Sequence, residues 1–126
     1  KENKKYELVT DLASLSTNDK VIITTASSTY NYGMSSINSS NNFWDYTTYT
    51  KYDDYIIGYS GIQEFTINKT SSGVSFSYEK NSILYYLNGP KSTKNNYLIE
   101  STNEQFWNLS FDGNNAIIAR SISVLY

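Results

Sequence analysis

Polar and apolar positions alternate most clearly in the second half of the chain. Val74, Phe76 and Tyr78 alternate with Ser75 and Ser77, the two-residue period of a half-buried strand. Phe65 and Ile67 share one face of the segment 63–68, and the Ser71-Ser72-Gly73 turn between the two runs predicts a hairpin. The run Ile83–Leu87 predicts another strand, broken by Asn88-Gly89-Pro90. A short strand follows at 97–100. Trp107, Leu109 and Phe111 then face one way, which assigns Trp107 to the core. The turn signal DGNN at 112–115 pairs this strand with 116–120, and 123–126 is expected to close the sheet.

The first half is less regular. Residues 1–5 read as a disordered leader, and 6–126 as a single β domain opening with a strand at 6–10. Thr10 or Asp11 can cap one helical turn carrying Leu12 and Leu15. Asn18-Asp19 is a turn signal, and the β-branched run VIITT at 21–25 predicts a buried strand. The Ser/Asn-rich stretch 26–42 reads as a loop, with Met34 filling a gap in the core. Residues 55–59 read as a strand, and Gly58 and Gly61 as marks of a bulge or bend. Nine or ten short strands spaced by roughly 8–12 residues predict an all-β barrel or sandwich. A closed or nearly closed antiparallel barrel is favoured, because few charges protect open edges.

Composition sharpens this. The 126 residues form one domain on length alone. Ser, Thr, Asn and Tyr dominate and strong helix formers are scarce. This profile fits an extracellular β domain. With a net charge of -2 the chain has no electrostatic grip on nucleic acid. It contains no run of 18 apolar residues, so no transmembrane helix is expected and membrane insertion is not anticipated.

A family resemblance rests on specific stretches. YELVTDLASLSTNDKVIITT at 6–25 resembles the opening of a β-rich accessory module of bacterial secreted and surface proteins. That module opens with Tyr-x-Leu-Val-Thr, a short Ser/Leu turn and Gly-Asp-Lys-Val-Ile-Ile; here Asn18 stands for the Gly. GMSS at 33–36, EFTI at 64–67, NNYL at 95–98, FWNLSFDGNNAII at 106–118 and the closing SVLY follow in the expected order. The resemblance implies a non-catalytic module on the cell surface, carried within a larger multidomain chain or assembly.

The absence of His and Cys excludes a Ser-His-Asp triad, a Cys-His pair and an imidazole zinc site. No phosphate-cradling glycine motif occurs. Several of the 12 acids lie at turn positions, so the chain is not expected to be an enzyme. Calcium is the one metal with plausible ligands, in Asp45 with Asp53 and Asp54, or Asp112 with Asn114 and Asn115; turn residues satisfied locally are the simpler account.

The remaining chemistry lies in NNFWDYTTYTKYDDYIIGY at 41–59. Phe43, Tyr46, Tyr49, Tyr52 and Tyr55 recur every three residues, a spacing that cannot hold five rings on one face of either a strand or a helix. Some must be buried and others exposed, or the segment is irregular. Exposed rings cover the apolar face of a sugar, and nearby Asn, Asp and Thr take its hydroxyls. The expectation is a carbohydrate-binding loop. Trp44, Tyr46, Tyr49, Tyr52 and Tyr55 stack on the ligand, and Asn41, Asn42, Asp45, Asp53 and Asp54 supply polar contacts. Trp44 is expected on the exposed side, with Phe43 taking the buried one. The alternative is a structural or adhesin-like subunit whose rings meet a neighbouring surface protein and which has no small ligand.

Overall fold

The computed structural model describes residues 4–24, 31–38, 43–52, 55–58, 61–89, 99–112 and 115–120. All of the regular structure is β apart from one 3₁₀ turn. The strands are β1 (Lys4–Glu7), β2 (Lys20–Val21), β3 (Tyr32–Asn38), β4 (Phe43–Thr48), β5 (Thr50–Lys51), β6 (Tyr55–Gly58), β7 (Phe65–Thr70), β8 (Gly73–Lys80), β9 (Ile83–Asn88), β10 (Ile99–Ser101), β11 (Trp107–Asp112) and β12 (Asn115–Arg120). All pair antiparallel, in three sheets. Among the described residues these do not close into a barrel.

The large sheet is built around β8, as the alternation at 74–78 predicts. β7 pairs with β8 through the turn at 71–72, and β9 returns along β8 through Asn81-Ser82. Both of these loop residues have positive φ, 55° and 65°, the backbone that matches a two-residue hairpin to strand twist. β2 joins the far side of β7, and β10 the far side of β9. β8 also meets β11 at Val74–Trp107. Trp107 ties this junction together by donating from Nε1 to the Leu87 carbonyl at 3.1 Å. Gly73 makes the approach possible. Its φ is +125°, and a Cβ there would sit 2.5 Å from the Trp107 carbonyl oxygen.

The cross-strand register explains the core. Phe76 lies opposite Ile67, and Tyr78 opposite Tyr85, on one face of the sheet. Ile67, Phe76 and Tyr78 form a single buried cluster with Phe65, Val74, Leu87, Trp44 and Trp107, flanked by Val21, Ile23, Met34, Ile37, Tyr85 and Leu109. Ser75 and Ser77 point the other way yet are also buried. Ser75 donates to Glu104 at 2.6 Å, and Ser77 to the Thr66 carbonyl at 3.3 Å. β8 is therefore covered on both faces, where alternation alone predicts one wet side.

Asp11 caps the turn Leu12–Ser14, accepting from the Ser14 amide at 2.8 Å, and Leu15 is buried behind it. Asn18 adopts φ 79° in its turn. The expected strand at 21–25 is reduced to β2 plus a bridge from Thr24 to Gly33.

Lys4 and Lys5 are not part of a leader, and the first strand is not 6–10: β1 covers Lys4–Glu7 because it pairs with β6. The part of 26–42 at 32–38 is not loop but β3, paired with β4 across an irregularity between Met34 and Ile37. Ser35 and Ser36 hid this strand, because they interrupt the alternation between Met34 and Ile37, both of which pack against the core. Gly58 is the last residue of β6, where a Cβ would lie 2.9 Å from the Tyr6 ring, and Gly61 stands at a turn as expected. The strand expected at 123–126 and the segments 26–30, 39–42 and 97–98 lie outside the described residues.

Candidate functional site

The ring-rich segment divides as three-residue spacing requires. Tyr46 is 64% exposed, Tyr49 8% and Tyr52 48%, and Tyr55 is half-buried. Trp44 is only 9% exposed, which overturns its assignment to a stacking surface. Its ring meets Phe65 and Tyr78 edge-on, both with centroids 5.6 Å away. Strand alternation puts Trp44 and Tyr46 on the same side of β4. Trp44 fills the space between the β3–β4 hairpin and the large sheet, whereas Tyr46 extends to solvent beside Tyr32, centroid to centroid 4.4 Å. Tyr49 is likewise removed from the surface set by its burial. Asp45 is exposed on the opposite side of β4. Asn41, Asn42, Asp53 and Asp54 lie outside the described residues.

A second ring pair sits on the small sheet β1-β6-β5. Thr50 pairs with Ile57 and Lys51 with Ile56, so Tyr52 and Tyr55 come next in register. The Tyr52 amide donates to the Tyr55 carbonyl at 2.9 Å. Their rings stack at 4.8 Å, 14° from parallel, as cross-strand neighbours do. On the other side of β6, Glu7 lies directly opposite Tyr55 and Lys5 opposite Ile57. Glu7, Tyr55 and Tyr52 thus form one row across three strands, and Lys5, Ile57 and Thr50 the row beside it.

Lys5 leans diagonally between these rows. Its Nζ lies 4.6 Å from the Tyr55 ring centre and 3.9 Å from Glu7 Oε2. Lys5, Glu7, Leu8, Thr10 and Tyr55 line an open depression of about 350 Å³. Leu8 is 52% exposed and leaves apolar surface at its rim. The opposite face of the small sheet holds it to the body. There the Tyr6 hydroxyl donates to Glu64 Oε2 at 2.9 Å. Burial first, and then the hydrogen bond and the Glu64 charge, push the Tyr6 phenol up to about 12.

Lys5, Glu7, Leu8, Thr10 and Tyr32 were not among the residues marked by the sequence. One signal was present: Lys5 and Glu7 flank Tyr6 in the alternation of a strand. Their juxtaposition with Tyr55 is a matter of long-range pairing and leaves no local trace.

Another polar group lines the core edge. Lys80 Nζ approaches Glu100 Oε2 at 2.7 Å and lies 5.0 Å over the Tyr85 ring. Burial pushes the Glu100 carboxyl above its usual range in spite of this cation. Among the described residues no three acidic side chains gather where they could hold a metal ion. The described helical structure contains nothing long and apolar enough to cross a membrane. No family model, no curated protein and no solved structure matches the chain.

Proposed function

We propose that this chain is a non-catalytic binding module for carbohydrate, working outside the cell. The carrying observation is the stacked Tyr52–Tyr55 pair beside an open depression with carboxylate, ammonium and hydroxyl groups on its walls. Rings with one apolar face and one polar edge lose little entropy on binding and suit the C–H face of a pyranose. Thr10 and Glu7 supply the convergent polar contacts that fix orientation, and Lys5 lies across the Tyr55 ring between them. The exposed Tyr46, backed by Tyr32, offers a further stacking surface. The contact set of this reading therefore drops Trp44 and Tyr49, retains Tyr46, Tyr52 and Tyr55, and adds β1.

Assignment to a secreted or surface protein of bacteria rests on the Ser/Thr/Asn/Tyr bias and on the resemblance at 6–25. A glycan array followed by calorimetry tests the binding reading. Saccharide binding that is lost in Tyr52→Ala, with the fold intact, is the expected result. No saccharide bound by the intact protein would defeat it.

One observation favours the structural-subunit reading. Ile83 and Leu84 are 45% and 47% exposed at the β8–β9 tip, an apolar patch suited to a neighbouring protein. Concentration-dependent assembly in light scattering, abolished by Leu84→Lys, would favour that reading instead.

A further inference from the structure

We propose that the depression lined by β1, Leu8, Thr10 and Tyr55 takes an organic cation, so that the saccharide bound there carries a free amine. The inference rests on the saccharide reading above and narrows it to amino sugars. The chain itself supplies the first indication. Lys5 already holds an ammonium 4.6 Å from the centre of the Tyr55 ring, which shows that this ring is accessible to a cation. Tyr52 stacks on Tyr55 and stiffens that wall.

The second indication is Glu7. Register places it directly opposite Tyr55, and its side chain is 79% exposed. Its separation from Lys5 Nζ, 3.9 Å, makes a loose ion pair rather than a hydrogen bond. The Lys5 side chain is itself 56% exposed, and such surface pairs hold their partners weakly. A ligand ammonium can therefore displace Lys5, taking the ring face and the carboxylate together.

An anionic ligand faces the opposite balance. Lys5 would attract it, but the negative face of the ring and Glu7 would both repel it. Among the described residues, the Tyr55 ring face and the Glu7 carboxylate thus both select a cation, and Lys5 is a movable internal competitor. Thr10 and the exposed Leu8 are left to meet a sugar hydroxyl and the apolar edge of the ring.

The test uses the full chain with two tetrasaccharides, one of glucosamine and one of N-acetylglucosamine, titrated calorimetrically at mildly acidic pH and low salt. Amide shifts in NMR locate the contact. The amine form is expected to bind several-fold more tightly and to shift Glu7, Leu8 and Thr10. Lys5→Met should tighten it by about two- to fivefold, the scale of an exposed cation–π contact, and Glu7→Gln should weaken it similarly. Lys5→Gln substitutes if the methionine variant does not fold. Equal or tighter binding of the acetylated form at Tyr52 overturns the cation inference and leaves the saccharide reading standing. Weaker binding of the amine form by folded Lys5→Met or Lys5→Gln also overturns it. No binding of either sugar by the folded protein defeats both.

Discussion

Replacing Trp44 with alanine should cost the fold, not only a ligand contact. Burying an indole removes about 200 Å² from water, worth roughly 5 kcal/mol at 25 cal per Å². That is an upper bound, since the unfolded chain already buries part of this area. The edge-on contacts with Phe65 and Tyr78 add about 1 kcal/mol each. Against this, Trp44 Nε1 is buried with no hydrogen-bond partner among the described residues, and its removal recovers about 1–3 kcal/mol. The net loss is about 4 kcal/mol, within the usual span for Trp→Ala in a core. That is a large share of the roughly 5–15 kcal/mol that stabilises an ordinary domain. Urea unfolding followed by Trp107 fluorescence measures it, because the second indole remains as reporter. Trp44→Phe keeps a ring and drops the orphan N–H, so it should lose only about 1 kcal/mol. Tyr46→Ala, two residues away but exposed, should stay within about 0.5 kcal/mol of the parent. If Trp44→Ala unfolds within about 1 kcal/mol of the parent, the core assignment of this ring is wrong.

Gly73→Ala should destabilise by about 2 kcal/mol or more, because positive φ and the Trp107 carbonyl both oppose a Cβ; thermal melts report it, and an unchanged melting temperature would contradict the geometry. The Tyr6 phenol is raised in the folded state, so its contribution is complete below about pH 10 and is lost as pH climbs through about 12. Tyr6→Phe should remove that alkaline loss, seen as a flatter stability curve between those limits. The Glu100 carboxyl is also raised, so its protonated form suits the fold and its contribution fades as pH rises through the folded value. Glu100→Gln should therefore be neutral or stabilising at neutral pH. Lys80→Met, which leaves the carboxylate without its cation, should cost about 1 kcal/mol, and the reverse order in urea melts would refute this account.

Local pattern carried much of this protein. The alternation at 74–78, the turn at 71–73 and the DGNN signal at 112–115 needed no tertiary information, because strand period and turn chemistry act within a few residues. The same holds for Trp107, which sits in phase with Leu109 and Phe111 and is buried. Three-residue spacing also required the rings of 43–55 to part company, and Tyr46, Tyr49 and Tyr52 are indeed exposed, buried and exposed. What spacing could not decide was which ring went where. Trp44 is buried because Phe65 and Tyr78 of the large sheet, 21 and 34 positions away, pack against a hairpin whose own first strand is hidden among serines. The candidate site depends even more on distance. Lys5 and Glu7 meet Tyr55 only because β1 pairs with β6, an association about fifty residues apart whose register no neighbour in sequence records. Period and turn chemistry thus settled the kind of elements, and long-range register decided which faces are buried and which side chains share a site.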